Sequence, residues 1–196
     1  MISSELTTAF RSNNGILTTA KAKQYGINDS TLRKALERND IKRYANGIYY
    51  LSDSYFDDFY MLQLKYPKGV YSYETAVLLH WLSTNYPFTY HISFPLGFNL
   101  RNAEDQNIKP YYLSENELNN DFFQDVKTWD GNIVRVTNLE KTIVDMLRCE
   151  DITPGLFDEI VNNYLSRTDK NLERLLTYGN FFNIKNLLEK RVLKSI

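Results

Sequence analysis

Three side chains suited to phosphodiester chemistry, Glu140, Lys141 and Asp145, lie within one short stretch of the sequence. Metal-assisted cleavage of phosphodiester bonds uses carboxylates of this kind, and nuclease sites combine them with a lysine. The same spacing suits a structural role, because Thr137 and Glu140 stand at the two positions of a capping box, in which Glu140 bonds the start of its own helix. We expect the structural role, in a helix that opens at this box and runs through Arg148.

Few other residues could support catalysis. His80 and His91 are the only histidines, so a histidine-based catalytic or zinc site would need both of them and carboxylates from distant loops. The single cysteine, Cys149, excludes an internal disulfide and a multi-cysteine metal site, and it fits a reducing compartment. The sequence has no glycine-rich phosphate loop and no Gly-x-Ser-x-Gly elbow. We therefore predict no catalytic residue, no metal site and no cofactor, and we expect the histidines to pack within a helix or lie at the surface.

Charge is unevenly distributed along the chain. Residues 1–51 carry eight basic and four acidic side chains, whereas the whole chain has a formal net charge of −1. The formal net charge of residues 1–51 is thus +4, and that of the rest of the chain is −5. A basic module joined to a mildly acidic one is typical of a head that binds a polyanion and a body with a different role.

The first 39 residues contain the signals of three short helices. Apolar periodicity and turn formers predict helices at about 5–12, 20–25 and 31–39. Thr18 or Thr19 can cap the second helix, which ends at Gly26, and the third follows a cap at one of residues 28–30. Two helices joined by a tight turn that contains glycine are typical of a helix-turn-helix.

The third helix has one apolar and one polar face. Leu32, Ala35 and Leu36 form its apolar stripe, so the 100° step per residue places Ser30 and Lys34 on the opposite side. Glu37 shares that face, with Thr31, Arg33 and Arg38 on the flanks. Such a helix can enter the major groove of DNA with its N-terminal part. Glu37 would repel phosphate unless it accepts a hydrogen bond from a cytosine amino group or pairs with Lys34.

Two β-favouring runs, at 41–44 and 48–51, flank the Asn46-Gly47 turn and predict a hairpin. Lys42 and Arg43 at its base and Asn46 at its tip could contact a phosphate strand or a minor groove, or could simply form a solvated rim. Three helices followed by such a hairpin indicate a winged helix-turn-helix, used for DNA rather than for protein contact alone. The predicted DNA-binding residues are Thr19, Asn28, Ser30, Thr31, Arg33, Lys34, Arg38, Lys42, Arg43 and Asn46.

Residues 55–196 show a mixed pattern that follows a linker at 52–54. Helices are predicted at 56–66, 73–82, 137–148, 154–165, 169–177 and 182–194, strands at 89–94 and 109–113, and a hairpin at 127–137 that turns at 130–131. The predicted class is α+β: a winged helix-turn-helix domain at 1–51, then a mixed α/β domain at 55–196 that ends in helices. The chain has no apolar run of the roughly 20 residues that cross a membrane and no signal-peptide pattern, so we expect no membrane contact and a cytoplasmic location.

Several stretches of the sequence together resemble the AbiEi antitoxin family of bacterial abortive-infection systems. They are Gly-Ile-Leu-Thr at 15–18, Tyr-Gly-Ile at 25–27, Leu32, Ile-Lys-Arg at 41–43, Asn-Gly-Ile-Tyr at 46–49, Ser-Tyr-Glu-Thr-Ala at 72–76, Leu-His at 79–80 and the run at 136–145. The order and spacing of these stretches carry the resemblance, which covers residues from about 5 to 150.

The resemblance implies an antitoxin of a type IV toxin-antitoxin pair that acts in phage defence. Its partner would be a nucleotidyltransferase-like toxin, which the C-terminal domain neutralises without an obligatory stable complex. The winged helix would bind inverted repeats in double-stranded operator DNA and repress the operon. An alternative function is that of an enzyme, in which the winged helix brings a catalytic C-terminal domain to nucleic acid.

Overall fold

The computed structural model describes residues 3–54, 56–101 and 106–195, which form two compact units. The first unit runs to Pro67 and includes Lys127–Ile133, and the second comprises Lys68–Val126 and the chain from Val134 on. Both helices and sheets are abundant, so the class is α+β. Within the described ranges no helix is long and apolar enough to cross a membrane.

The first unit combines helices with a small antiparallel sheet. Its elements are α1 (Ser4–Arg11), β1 (Ile16–Thr18), α2 (Thr19–Gln24), α3 (Asp29–Glu37), β2 (Ile41–Ala45), β3 (Ile48–Leu51) and α4 (Asp58–Lys65). The strand order is β1-β3-β2, and Tyr50 of β3 lies opposite both Ile16 and Lys42. Leu6, Phe10 and Leu32 are buried in the core that joins the first three helices to this sheet.

Local signals explain the first three helices and the hairpin, which lie where the sequence predicts them. The Thr18 and Asn28 side chains accept from the backbone N–H groups of Lys21 and Thr31 and so cap α2 and α3. Gly26 takes the left-handed conformation, with φ of +73°, that ends α2. Because Asn28 is the cap, α3 begins two residues earlier than predicted.

Strand β1 was not predicted. It has only three residues, and its pairing partner, β3, lies about thirty positions later in the chain. A strand this short is defined by its hydrogen-bonded partner rather than by its own periodicity.

Asp57 anchors a second segment of the first unit. The Asp57 side chain caps α4 by accepting from the backbone N–H of Tyr60 at 3.0 Å. Its other carboxylate oxygen accepts from Thr128 Oγ1 at 2.6 Å and from Asn132 Nδ2 at 2.7 Å. This buried carboxylate therefore holds the loop 128–132 in place.

The second unit is built on a five-stranded mixed sheet with the strand order β6-β5-β4-β8-β7. The elements are β4 (Val70–Tyr71), α5 (Tyr73–Leu79), β5 (Tyr90–Pro95), β6 (Ile108–Leu113), α6 (Glu115–Leu118), β7 (Phe123–Lys127), β8 (Ile133–Thr137), α7 (Leu139–Leu147), α8 (Leu156–Ser166), α9 (Leu172–Phe181) and α10 (Lys185–Arg191). A 3-10 turn, Leu193–Ser195, follows α10. Ile143, Ile160 and Leu188 are fully buried in the apolar core that α7 shares with the C-terminal helices.

The predicted capping box at Thr137 and Glu140 is wrong. Asn138 caps α7 by accepting from the backbone N–H of Lys141 at 2.9 Å, while Thr137 Oγ1 lies 2.9 Å from Thr142 Oγ1. Glu140 points instead into the core, where three groups donate to it. A capping box does occur at Ser114 and Glu117, which open α6.

Two further predictions needed correction. The predicted hairpin at 127–137 places its first strand too late, because β7 ends at Lys127 and residues 128–132 form the loop. Strand β7 lies at the sheet edge and exposes Gln124, Asp125 and Lys127, so it has neither the apolar run nor the strict alternation that would mark a strand in the sequence. Helix α5 ends at Leu79 rather than at residue 82, since Trp81 has φ of +58°.

Candidate nucleic-acid interface

A groove of about 420 Å³ lies between the start of α2, the first turns of α3 and the β2–β3 hairpin. It is lined by Thr19, Asp29, Ser30, Arg33, Arg43, Asn46 and Tyr49. Five of these are predicted DNA-binding residues: Thr19, Ser30, Arg33, Arg43 and Asn46. The structure thus brings three separate chain segments to one polar groove that holds two arginines.

The start of α3 is held by Asn28. Its side-chain oxygen accepts from Ser30 Oγ at 2.7 Å, from the backbone N–H of Thr31 at 2.9 Å and from Thr31 Oγ1 at 3.0 Å. Asn28 was predicted to contact DNA. These bonds position the start of α3 and use the side-chain oxygen of Asn28, while its contact with DNA stays a prediction.

The hairpin is held against α2 at its turn. The backbone N–H of Thr19 donates to the carbonyl oxygen of Gly47 at 2.9 Å. Gly47 has φ of +74°, and a Cβ at this position would lie 3.2 Å from Thr19 Oγ1. Glycine therefore meets both demands of the site, the left-handed backbone and the close approach of Thr19.

Arg43 is positioned by the register of the hairpin. It lies opposite Tyr49 on β3, and its guanidinium carbon is 5.7 Å from the centroid of the Tyr49 ring. The register shifts between Arg43 and Ala45, as in a β-bulge, which turns the strand ahead of Asn46. The ring thus supports a guanidinium group that lines the groove.

The arginine of α3 that lines the groove has only a weak internal partner. Arg33 Nε lies 3.9 Å from Glu37 Oε1, and the two side chains are 73% and 66% exposed. An ion pair this open contributes little stability, so phosphate could replace Glu37 as the partner of Arg33. The sequence left open a pairing of Glu37 with Lys34, whereas the structure places Arg33 next to Glu37.

The remaining predicted residues lie elsewhere on the first unit. Thr31, Lys34 and Arg38 line a separate depression of about 210 Å³, together with Ser3 and Leu6 of the α1 segment. Arg38 Nε also donates to Asp40 at 2.9 Å, which offsets part of its charge. Lys42 is exposed on β2 and lines neither depression. The ten predicted residues therefore do not all line the one groove.

Asp29 and Tyr49 line the groove but were not predicted. Helical periodicity could have placed Asp29 beside Ser30 and Arg33 had the cap been assigned to Asn28. Tyr49 could not be found in this way, because its place in the groove follows from the cross-strand register with Arg43.

The candidate carboxylates of α7 are structural groups. Glu140 is 1% exposed and accepts from the Tyr164 hydroxyl at 3.1 Å, the Asn171 backbone N–H at 2.9 Å and Arg174 Nη1 at 3.4 Å. Lys141 and Asp145 form an equally buried ion pair. Burial raises the pKa of Asp145, and the adjacent Lys141 ammonium opposes this shift. In the described ranges no three His, Cys, Asp or Glu residues are arranged to hold a metal ion.

Both histidines are buried. His80 follows α5, with its Nε2 2.6 Å from the carbonyl oxygen of Thr137, and burial lowers its pKa to about 4. His91 lies in strand β5 rather than in a helix, with its Nδ1 3.2 Å from the Tyr111 hydroxyl, and burial likewise lowers its pKa to about 4. Both are thus neutral in the folded protein near pH 7.

No protein-family model matches the chain, and the curated proteins contain no match. Among solved structures, the fold is similar to that of the RV2827C protein from Mycobacterium tuberculosis, known from a crystal structure. The TM-score is 0.59 at 15% sequence identity, over 89% of this chain and 70% of the other. At this identity the similarity is one of fold.

Proposed function

We propose that this protein is a transcriptional repressor that binds the operator DNA of its own toxin-antitoxin operon through a winged helix-turn-helix at 1–51. We further propose that it is the antitoxin of a type IV abortive-infection system and neutralises a nucleotidyltransferase-like toxin. The observation that carries the DNA-binding part is the groove in which Arg33 of α3 and Arg43 of the hairpin both take part.

The chemistry of this groove suits the DNA backbone. Arg33 and Arg43 present planar, permanently charged donor groups that match phosphate oxygens. Thr19, Ser30 and Asn46 add neutral donors, which are common among phosphate contacts. The +4 net charge of residues 1–51 supports the same partner.

Helix α3 would supply sequence recognition. It is the second helix of the α2–α3 pair, and its exposed face carries Ser30, Arg33 and Lys34. In helix-turn-helix proteins this second helix lies in the major groove, and the N-terminal part of the helix contacts base edges. The hairpin, with Lys42, Arg43 and Asn46, would follow the adjacent phosphate strand or minor groove.

The antitoxin part of the proposal rests on the resemblance of stretches 15–49, 72–80 and 136–145 to AbiEi antitoxins. Glu140 and Asp145 have core partners that account for their presence, so we do not propose the enzyme alternative.

The DNA-binding part is tested with the full chain and a labelled duplex from upstream of its gene. We expect Arg33→Ala and Arg43→Ala each to weaken binding about tenfold or more, because each removes a charged contact. Lys21→Ala is the matched control, since Lys21 is exposed on α2 and does not line the groove. Equal losses in all three variants would show a diffuse charge effect and contradict the proposed interface.

The antitoxin part is tested by co-expression with a nucleotidyltransferase-like protein encoded beside this gene. We expect the wild-type chain to restore growth. The variant R33A/R43A should also restore growth while it no longer represses a reporter driven by the upstream promoter, because neutralisation is assigned to the second domain. A chain that represses the promoter but never restores growth would leave a repressor without the antitoxin role.

A further inference from the structure

The groove between α2, α3 and the hairpin has one acidic side chain, Asp29, among the described residues that line it. Asp29 is exposed, and its side chain forms no hydrogen bond or ion pair with any residue that the structure describes. Arg33 and Arg43 line the same groove, but the acid next to Arg33 is Glu37, at 3.9 Å. The Asp29 carboxylate is therefore open to whatever the groove binds.

The other side chains at the start of α3 already have partners. Ser30 Oγ and Thr31 Oγ1 both donate to the side-chain oxygen of Asn28, at 2.7 and 3.0 Å. These bonds hold the first turn of α3 rigidly beneath Asp29, which is the first residue of the helix. A carboxylate on a fixed turn can select its partner by geometry, because little freedom is lost when it binds.

The charge of this carboxylate restricts what it can face in duplex DNA. A phosphate group placed beside Asp29 would be repelled. A groove that binds the DNA backbone through Arg33 and Arg43 therefore has to leave Asp29 facing the edges of the bases. The first residues of the second helix contact these edges in helix-turn-helix proteins, and Asp29 occupies that position on α3.

The hydrogen-bonding groups of the bases indicate which base suits a carboxylate. In the major groove, guanine presents the acceptors N7 and O6 and thymine presents the acceptor O4, so both would repel it. Adenine has an amino donor beside the acceptor N7, which would face the second carboxylate oxygen. Cytosine presents its N4 amino group and no acceptor of its own, so it fits the carboxylate best.

We propose that Asp29 determines sequence specificity by accepting a hydrogen bond from the N4 amino group of a cytosine in the operator. This inference rests on the proposed repressor function and deepens it, because it names one base and the residue that selects it. Glu37, the acid for which such a partner was considered from the sequence, does not line the groove and lies beside Arg33 instead.

The test uses the full chain and the part of the upstream duplex that the wild-type chain protects from DNase cleavage. Each base pair of this part is replaced in turn by the other three, and anisotropy titrations give the affinity for every duplex. The wild-type chain should prefer C·G about tenfold over the other pairs at one position. Asp29→Asn should change that preference to A·T, because an amide can bond both N6 and N7 of adenine. Asp29→Ala should bind all four pairs at this position about equally.

Glu37→Gln is the matched control, since it removes the same charge from the exposed side of α3 outside the groove. It should keep the cytosine preference, and a loss of that preference in this variant would overturn the inference. A uniform change of affinity over all duplexes in Asp29→Asn would show that Asp29 only stabilises the start of its helix, which would also overturn the inference.

The inference and the proposed function can fail separately. Sequence-specific binding by the wild-type chain, with the same base preferences in Asp29→Asn, would overturn the role of Asp29 and leave the proposed repressor function intact. Failure of the wild-type chain to bind any of the duplexes would overturn both.

Discussion

Lys141 and Asp145 lie one turn apart on α7 and form an ion pair in which each side chain is only 2% exposed. The Lys141 ammonium also faces the rings of Phe122 and Phe182, at 5.6 and 4.8 Å from their centroids. The second carboxylate oxygen of Asp145 has no hydrogen-bond partner among the described residues. The cost of removing both charges from water is therefore only partly offset by their attraction.

We expect the removal of one charge of this pair to lower the free energy of unfolding more than the replacement of both residues by apolar ones. Asp145→Asn should lower the free energy of unfolding by about 3–5 kcal/mol, because it leaves the Lys141 ammonium buried without a counter-charge. The double variant K141M/D145L should be clearly more stable than Asp145→Asn, since neither charge remains. Urea denaturation of the three proteins measures this, and a double variant less stable than the single one would contradict the cost assigned to the lone Lys141 ammonium.

The two buried histidines predict a loss of stability in mild acid. Their pKa values are about 4 in the folded protein against 6.5 for the free side chain. The unfolded state therefore binds more protons as the pH falls from 6.5 towards 4, so the free energy of unfolding decreases in that window and is unaffected by these groups above it. At pH 5 the loss is roughly 2 kcal/mol per histidine.

Urea denaturation at pH 7 and pH 5 checks this, and His91→Gln should remove about half of the difference between the two. An unchanged pH dependence in this variant would mean that other groups cause it.

The buried side chain of Asp57 should contribute strongly to the stability of the first unit. Asp57→Ala should lower the free energy of unfolding by about 3 kcal/mol, because α4 loses its cap while Thr128 and Asn132 lose their acceptor. Asp53→Ala, at an exposed position, is the matched control and should change stability by less than about 0.5 kcal/mol. Similar unfolding midpoints for both variants would exclude this role of Asp57.

The two basic residues of β2 should differ in their effect on DNA binding. Arg43 lines the groove, whereas Lys42 does not, so Arg43→Ala should flatten the slope of log affinity against log salt by about 0.9 and Lys42→Ala by less. Anisotropy titrations at several salt concentrations measure both slopes. A larger change for Lys42→Ala would place the phosphate strand on the other side of the hairpin.

Local signals made much of the fold predictable. The Asn28 cap, the left-handed Gly26 and the Asn46-Gly47 turn act within a few residues of their own position, so α2, α3 and the hairpin could be located from the sequence. The three C-terminal helices were predicted for the same reason, because each presents an apolar stripe to the core.

The wrong predictions concern features that are set by contacts between residues distant in the sequence. Thr137 and Asn138 are both suitable caps by residue type, so the sequence alone could not choose between them. The Glu140 side chain does not bond the start of its own helix, because Tyr164, Asn171 and Arg174 supply donors from later in the chain. The exposed face of α3 was predictable from the 100° step. Its division into a groove with Arg33 and a depression with Lys34 and Arg38 was not, because that depends on how α1 and the hairpin pack around α3.

The most direct test of the account is the ratio of dissociation constants of the full chain for scrambled DNA and for the duplex upstream of its gene, at one fixed physiological salt concentration. A repressor that reads its operator through α3 should show a ratio of about 10³ or more. The ratio should fall towards one in Ser30→Ala/Arg33→Ala and stay near the wild-type value in Lys21→Ala. A wild-type ratio near one would contradict the claim that this protein is a sequence-specific repressor.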